Sequence, residues 1–305
     1  MSRSARLLLV VGTIVGLGTM IIILLTPPKS AGDHPPSTKA LQTTTSTTIL
    51  PPPPTSLSIS SWGDSMAAET SQFLGGALRQ QASTEITFAS HSFPGVAVCD
   101  FINTGAVATD ATTVQPQVVA FQFSGDTFTP CGGRLGASAT GAQNAQLSAD
   151  DLRSAIDVYL QQDPRIQHID VLTLPPAELP AKTYIDLLNT TYRSMVTALA
   201  DRRVTISNSP ATAVSNIRGG FTTTLPCTED EKVAGVCMGA DSTNIVRSPT
   251  GHFCVPTSCA GFQPGAWRFA NAEASDLLAP YGITLTRTIT SGTMSSDVGA
   301  ERRSL

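Results

Sequence analysis

Positive charge is scarce in this chain. Its 305 residues carry 19 Lys and Arg against 23 Asp and Glu, a formal net charge of −4, and charged residues make up only 14% of the whole. Basic and aromatic residues nowhere interleave. A chain without clustered cations has no footprint for phosphates, so nucleic acid is not an expected partner. Histidine is rarer still, with four copies at His34, His91, His168 and His252. No Cys-x-x-Cys pair occurs, His252 alone lies near a cysteine, and the carboxylates show no ligand spacing. Metals are held through such spacings, and the expectation is no metal and no cofactor. Long apolar runs are limited to one, at residues 7–25, which argues against a membrane acyltransferase with many spans. Such a protein stays open as a partner that hands over an acyl group.

That one run is informative. It is uncharged, follows Arg3 and Arg6, and matches the roughly 20 residues that cross a bilayer. The arginines favour a cytoplasmic N-terminus, and no small-residue cleavage site follows. The expectation is an uncleaved signal anchor in the cell membrane with everything after it outside; the alternative is a secreted protein after signal cleavage. Residues 26–56 are rich in Pro, Thr and Ser, with Thr and Ser alone at 43–48 and four prolines at 51–54. They bury too little to fold and read as an extended stalk open to O-glycosylation. The organisation expected is a cytoplasmic N-terminus at 1–6, the anchor at 7–25, the linker at 26–56, one domain at 57–290 and a disordered tail at 291–305.

Six cysteines, Cys99, Cys131, Cys227, Cys237, Cys254 and Cys259, all follow the apolar run. An even count outside the cytoplasm points to disulfides. Short loops favour Cys227 with Cys237 and Cys254 with Cys259, which leaves Cys99 with Cys131.

Within 57–290, strand-like and helix-like segments alternate. Strands are expected at 57–61, 84–89, 117–123, 168–174 and 204–207, and helices at 66–78, 148–162, 181–200 and 264–279. Residues 201–258 read mostly as a long elaborated loop. Alternation of this kind predicts an α/β fold with a central parallel sheet between two helical layers, three-layer α/β/α and flavodoxin-like. Ligands in such sheets bind beyond the carboxyl ends of the strands.

Gly63-Asp64-Ser65 falls at such an end, between the first strand and the first helix. Helix N-termini present unpartnered N–H groups and favour negative charge, so an oxyanion beside the Ser65 hydroxyl would be stabilised. The plainer reading is Asp64 or Ser65 as a helix cap. A serine needs a base and oxyanion donors to act as a nucleophile. Three later segments offer them: Gly95 in Ser-Phe-Pro-Gly-Val-Ala-Val-Cys-Asp, Ser124-Gly125-Asp126 after an apolar strand, and His252 in Arg-Ser-Pro-Thr-Gly-His-Phe-Cys.

In this order the segments resemble the SGNH hydrolases, also called GDSL-like esterases and lipases, over about residues 57–283. The resemblance is closest to exported actinobacterial members and to the SGNH domains that accompany envelope acyltransferases. It implies Ser65 as nucleophile in the Gly63-Asp64-Ser65 block, Gly95 and Gly125 as oxyanion-site glycines, and His252 as base. It also implies an acyl ester substrate such as an O-acylated envelope glycan or a small ester. Two positions depart from the family pattern. Asp126 stands where the family has an Asn that donates to the oxyanion, and an ionised carboxylate has no proton to give. Pro249 stands where the family has the aspartate that orients the histidine, and Asp241 would have to reach back along an unusual path. Two functions follow as expectations: a serine esterase or O-acyltransferase, or a catalytically weakened domain that binds envelope polysaccharide or a partner protein.

Overall fold

The computed structural model describes residues 53–285, apart from 82, 238 and 255–260. The expected anchor, most of the linker, the tail and Cys259 lie outside the described residues. Among the described residues no helix is long and apolar enough to cross a membrane.

The sheet contains β1 (Ser56–Gly63), β2 (Glu85–Ser92), β3 (Val118–Gln122), β4 (His168–Leu172) and β5 (Val204–Ser207). All neighbours run parallel in the order β2-β1-β3-β4-β5. Every residue of β3 and β4 is buried, as strands covered on both faces must be. The expected α/β class with a parallel sheet is therefore present. Chain order moves outward from β1 to β2 and then, from β3, in the opposite direction. Right-handed crossovers consequently place α1 (Ser65–Arg79) on one face and α4 (Gly141–Gln162) and α5 (Ala181–Leu199) on the other. α8 (Pro264–Leu278) returns to pack on α1. The direction reverses between β1 and β3, which is where such sheets leave a crevice.

Register sets the edge of that crevice. Gly63 pairs with Ser92 on one side and Gln122 on the other, so β1, β2 and β3 end level. Glycine is required at 63: a β-carbon would lie 2.2 Å from the Ala67 Cβ and 2.5 Å from the Gln122 carbonyl oxygen. α1 follows because Met66, Phe73, Leu74, Ala77 and Leu78 repeat on one buried face.

Two readings of the sequence are corrected and one stretch without a reading is filled in. α4 begins at Gly141, seven residues before Ser148, because Thr140 and Gln143 form a reciprocal capping box; the Ser148 hydroxyl instead meets Tyr192 Oη at 2.8 Å inside the helix layer. The segment 93–117 holds α2 (Val98–Asn103), α3 (Ala106–Thr109) and a wide helical turn at Asp110–Val114. Residues 201–258 are more ordered than a loop, with α6 (Ser209–Ala213), α7 (Glu229–Val233) and an antiparallel pair of β6 (Thr224–Pro226) and β7 (Thr243–Ile245). A Cys227–Cys237 disulfide closes this part on itself, and a buried Arg268–Glu231 ion pair at 2.5 Å holds it against α8. The Cys99–Cys131 disulfide is present as expected. Cys254 is also disulfide-bonded, while its expected partner lies outside the described residues.

Candidate active site

Ser65 is the first residue of α1, half-buried, directly beyond the carboxyl end of β1. No helical carbonyl reaches the N–H groups of a first turn. Asp64 does cap the helix, its Oδ1 accepting from Met66 N–H at 3.1 Å, but it does more. Fully buried, it receives the Ser124 hydroxyl at 2.5 Å and the Ser124 N–H on Oδ2. One carboxylate thus ties the serine's helix to the loop after β3. Burial raises the Asp64 pKa, against the opposing pull of the Ser124 and Met66 hydrogen bonds.

That loop carries Ser124-Gly125-Asp126. Gly125 has φ +73, and Tyr184 on α5 donates to its carbonyl at 3.0 Å, while Tyr192 donates to the Phe123 carbonyl at 3.2 Å. Two tyrosines from one helix therefore fix the loop's course. Asp126 Oδ1 lies 3.5 Å from the Ser124 hydroxyl, whose proton is taken by the much closer Asp64. Burial first and the Asp64 charge second push the Asp126 pKa up to about 6.

Gly95 lies in the turn after β2 with φ +79. The turn is tied to the serine's strand by Phe93 N–H donating to the Gly63 carbonyl at 3.2 Å. It leads into α2, where the Asp100 carboxylate accepts from Ala97 N–H at 2.8 Å.

His252 comes from the loop between β7 and α8, and the loop is built to hold it. Ser248 N–H donates to the His252 carbonyl at 2.7 Å and Gly251 N–H to the Ser248 carbonyl at 2.9 Å. The buried Arg247 donates through Nε to the Gly251 carbonyl at 2.9 Å and through Nη1 to the Pro176 carbonyl after β4, with its guanidinium 5.0 Å from the Phe221 ring centre. The His252 Nδ1 lies 2.7 Å from Glu69 Oε1. Glu69 Oε2 accepts from Phe253 N–H at 2.6 Å and Cys254 N–H at 3.4 Å. The hydrogen bond to Glu69 raises the His252 pKa, burial opposes it, and the charges of Glu69, Asp64 and Asp126 add to the rise.

The charges of Asp64, the residue before Ser65, and of Asp126 thus both reach His252. Asp241, which sits in a turn with φ +54, is not the partner of the histidine. The residue missed from the sequence is Glu69. A signal was present, because Glu69 is the only acidic residue of α1 and stands four positions after Ser65.

Among the described residues one group, Cys99, Asp100 and Cys131, brings metal-type atoms together. Its two sulfurs are joined in a disulfide and its carboxylate caps α2, so no thiolate is left to bind a cation.

No family model matches the chain, and no curated protein matches it. Among the solved structures it is similar to LAE5, an alpha/beta hydrolase enzyme from the metagenome of Lake Arreo, Spain, at 11% identity over 75% of this chain and 97% of that one, TM-score 0.47. It is similar to the acetylxylan esterase Axe2 from Geobacillus stearothermophilus at 12% identity over 76% and 97%, TM-score 0.47. It is also similar to the catalytic domain of the Streptococcus pneumoniae peptidoglycan O-acetyltransferase A at 13% identity over 77% and 100%, TM-score 0.41. By name these neighbours are a hydrolase, an esterase and the catalytic domain of an O-acetyltransferase.

Proposed function

We propose that this chain is a serine esterase or O-acyltransferase acting on acyl esters. Ser65 Oγ attacks the acyl carbonyl while His252 takes its proton; the alcohol oxygen then leaves with that proton and the acyl group stays on Ser65. Water or an acceptor hydroxyl gives its proton to His252 and attacks the acyl-enzyme, and His252 returns that proton to Ser65 Oγ as its bond to the acyl carbon breaks. The N–H groups of Ser65 and Gly95 hold the oxyanion. The observation that carries this reading is the docking of His252 through Nδ1 beside the helix that Ser65 begins, which leaves Nε2 as the nitrogen for a hydroxyl. The apolar run and stalk of the sequence support membrane anchoring outside the cytoplasm, with an O-acylated envelope glycan as substrate and a membrane acyltransferase as a source of acyl groups.

A second reading has its own observation: a carboxyl, Asp126, stands where the resemblance places an amide donor, and it is held near Ser124 and Asp64 with its pKa pushed up to about 6. On that reading the domain binds envelope polysaccharide or a partner protein without turnover. A fluorophosphonate probe and p-nitrophenyl acetate, applied to the detergent-solubilised full chain, separate the two. Labelling of Ser65 and ester hydrolysis above a Ser65→Ala control support the enzyme. An unlabelled Ser65 with hydrolysis equal to the control rejects it in favour of binding.

A further inference from the structure

We propose that Glu69 is the orienting acid of this site, displaced from the histidine's own loop to the nucleophile's own helix. The inference rests on Ser65 and His252 acting as above and adds the third member that the sequence withholds. An imidazole that accepts a proton through Nε2 must carry its other proton on Nδ1 and must keep its ring plane fixed. Something has to accept from Nδ1. The loop from Arg247 to Cys254 contains no acidic residue, and the position three before the histidine is Pro249.

Glu69 meets both requirements at once. Its Oε1 takes the ring nitrogen at 2.7 Å, and its Oε2 takes the backbone N–H groups of Phe253 and Cys254. One carboxylate therefore fixes the ring and the chain that carries the ring, so neither moves without the other. The Glu69 side chain is 15% exposed and the His252 side chain 42%, which puts the acid beneath and the imidazole towards solvent.

Placement on α1 has a geometric consequence. Residues four apart lie on the same helix face, about 6 Å apart at their β-carbons. Nucleophile and acid thus belong to one rigid element, and the histidine, from a loop 183 residues further on, is held to that element by the acid. The charges that face His252 are Glu69 and Asp64 from α1 and its cap, and Asp126 from the loop after β3. From the histidine's own loop, the Arg247 guanidinium feels the Glu69 charge.

A supporting acid and a loop brace predict different kinetics. Glu69→Gln keeps the length and one oxygen for Phe253 N–H, yet its amide favours the wrong imidazole tautomer. In the full chain we expect kcat for p-nitrophenyl acetate to fall about 10³- to 10⁴-fold with KM changed less than about threefold. The acid limb of the kcat/KM profile should also move to lower pH, because His252 loses the largest contribution that raises its pKa. Glu69→Asp, which retains a carboxylate, should recover part of kcat and of the limb position. Wild-type kcat and an unmoved acid limb in Glu69→Gln, with Ser65 still labelled by fluorophosphonate, would overturn the inference and leave a Ser-His dyad. An equal loss in Glu69→Gln and Glu69→Asp with the limb unmoved would also overturn it, showing a brace only. Failure of Ser65 to label in the wild type is a different result: it removes the enzymatic reading itself, and the acid's role with it.

Discussion

At position 126 a single change of side-chain chemistry sets two titrations against each other. The base is competent when His252 is neutral, which its raised pKa places at higher pH than an ordinary histidine. The carboxyl of Asp126 can donate to an oxyanion when protonated, below about pH 6. The productive pair, neutral His252 with protonated Asp126, is therefore a minority of the population at every pH, greatest between the two macroscopic pKa values. The wild type should show a low, bell-shaped kcat/KM profile. Asp126→Asn removes the second condition and supplies a permanent donor, so its profile should rise once through the His252 pKa and stay high. At pH 8 we expect a gain of about 100- to 1,000-fold, measured by ester hydrolysis across pH 5–9; a drop at pH 8 would exclude Asp126 from the oxyanion site. At this scale the places of Ser65 and His252 in the fold were legible because each sits in a local pattern, Gly-Asp-Ser at a strand end and a histidine in a loop before the last helix. Glu69 left only its place four positions after Ser65 as a signal, because its meaning lies in a contact across 183 residues.

Elements show a similar division. β3 was legible because a strand buried on both faces reads as a short apolar run, here Val118–Gln122, and β4 because Ile169, Val171 and Leu172 remain β-prone and apolar around the buried His168 and Asp170. The start of α4 was obscured by a polar first turn, and the order within 201–258 depends on a disulfide and on Arg268 reaching Glu231 from α8. α8 also hides a stability term. Glu273 is buried with neither carboxyl oxygen hydrogen-bonded among the described residues, and Asp170 on β4 has one such oxygen. Burial, reinforced by the charges of Asp170 and Asp276, pushes the Glu273 pKa up to about 8. Burial pushes Asp170 to about 7, against its bond from Thr205. Both folded-state values lie above the ordinary ones, so the fold holds more protons than the unfolded chain over this range. Stability should accordingly be full below about pH 4 as far as these two groups are concerned, and fall as pH rises towards 8. Glu273→Gln should flatten that slope and raise stability at pH 9 by about 2 kcal/mol, read from urea unfolding at pH 5 and 9. An unchanged slope would mean that Glu273 ionises in the fold without cost.

For the whole molecule, the parallel sheet explains why segments far apart in sequence converge: three strands end level, so the segments of Ser65, Gly95 and Asp126 that follow them leave the sheet at one edge. That convergence was legible from the order of the segments. The tether between them was only half legible, since Cys99 and Cys131 were paired by elimination and their place in the site was not. The disulfide joins α2, which follows the Gly95 turn, to the loop that follows Asp126. Gly132, next to Cys131, packs so closely that a β-carbon there would lie 2.4 Å from the Asp126 carbonyl oxygen and 2.9 Å from the Ala97 Cβ. Both segments assigned to the oxyanion thus meet at the bridge. Closing a loop of 32 residues stabilises a fold by about 3–4 kcal/mol when native geometry is relaxed. A Cys99→Ser, Cys131→Ser double variant should lose stability of that order in denaturant. It should also lose kcat at temperatures where circular dichroism still reports a folded sheet, because the oxyanion segments loosen before the strands part. Stability lost with kcat intact in the folded range would place the bridge in the scaffold alone and detach it from the chemistry.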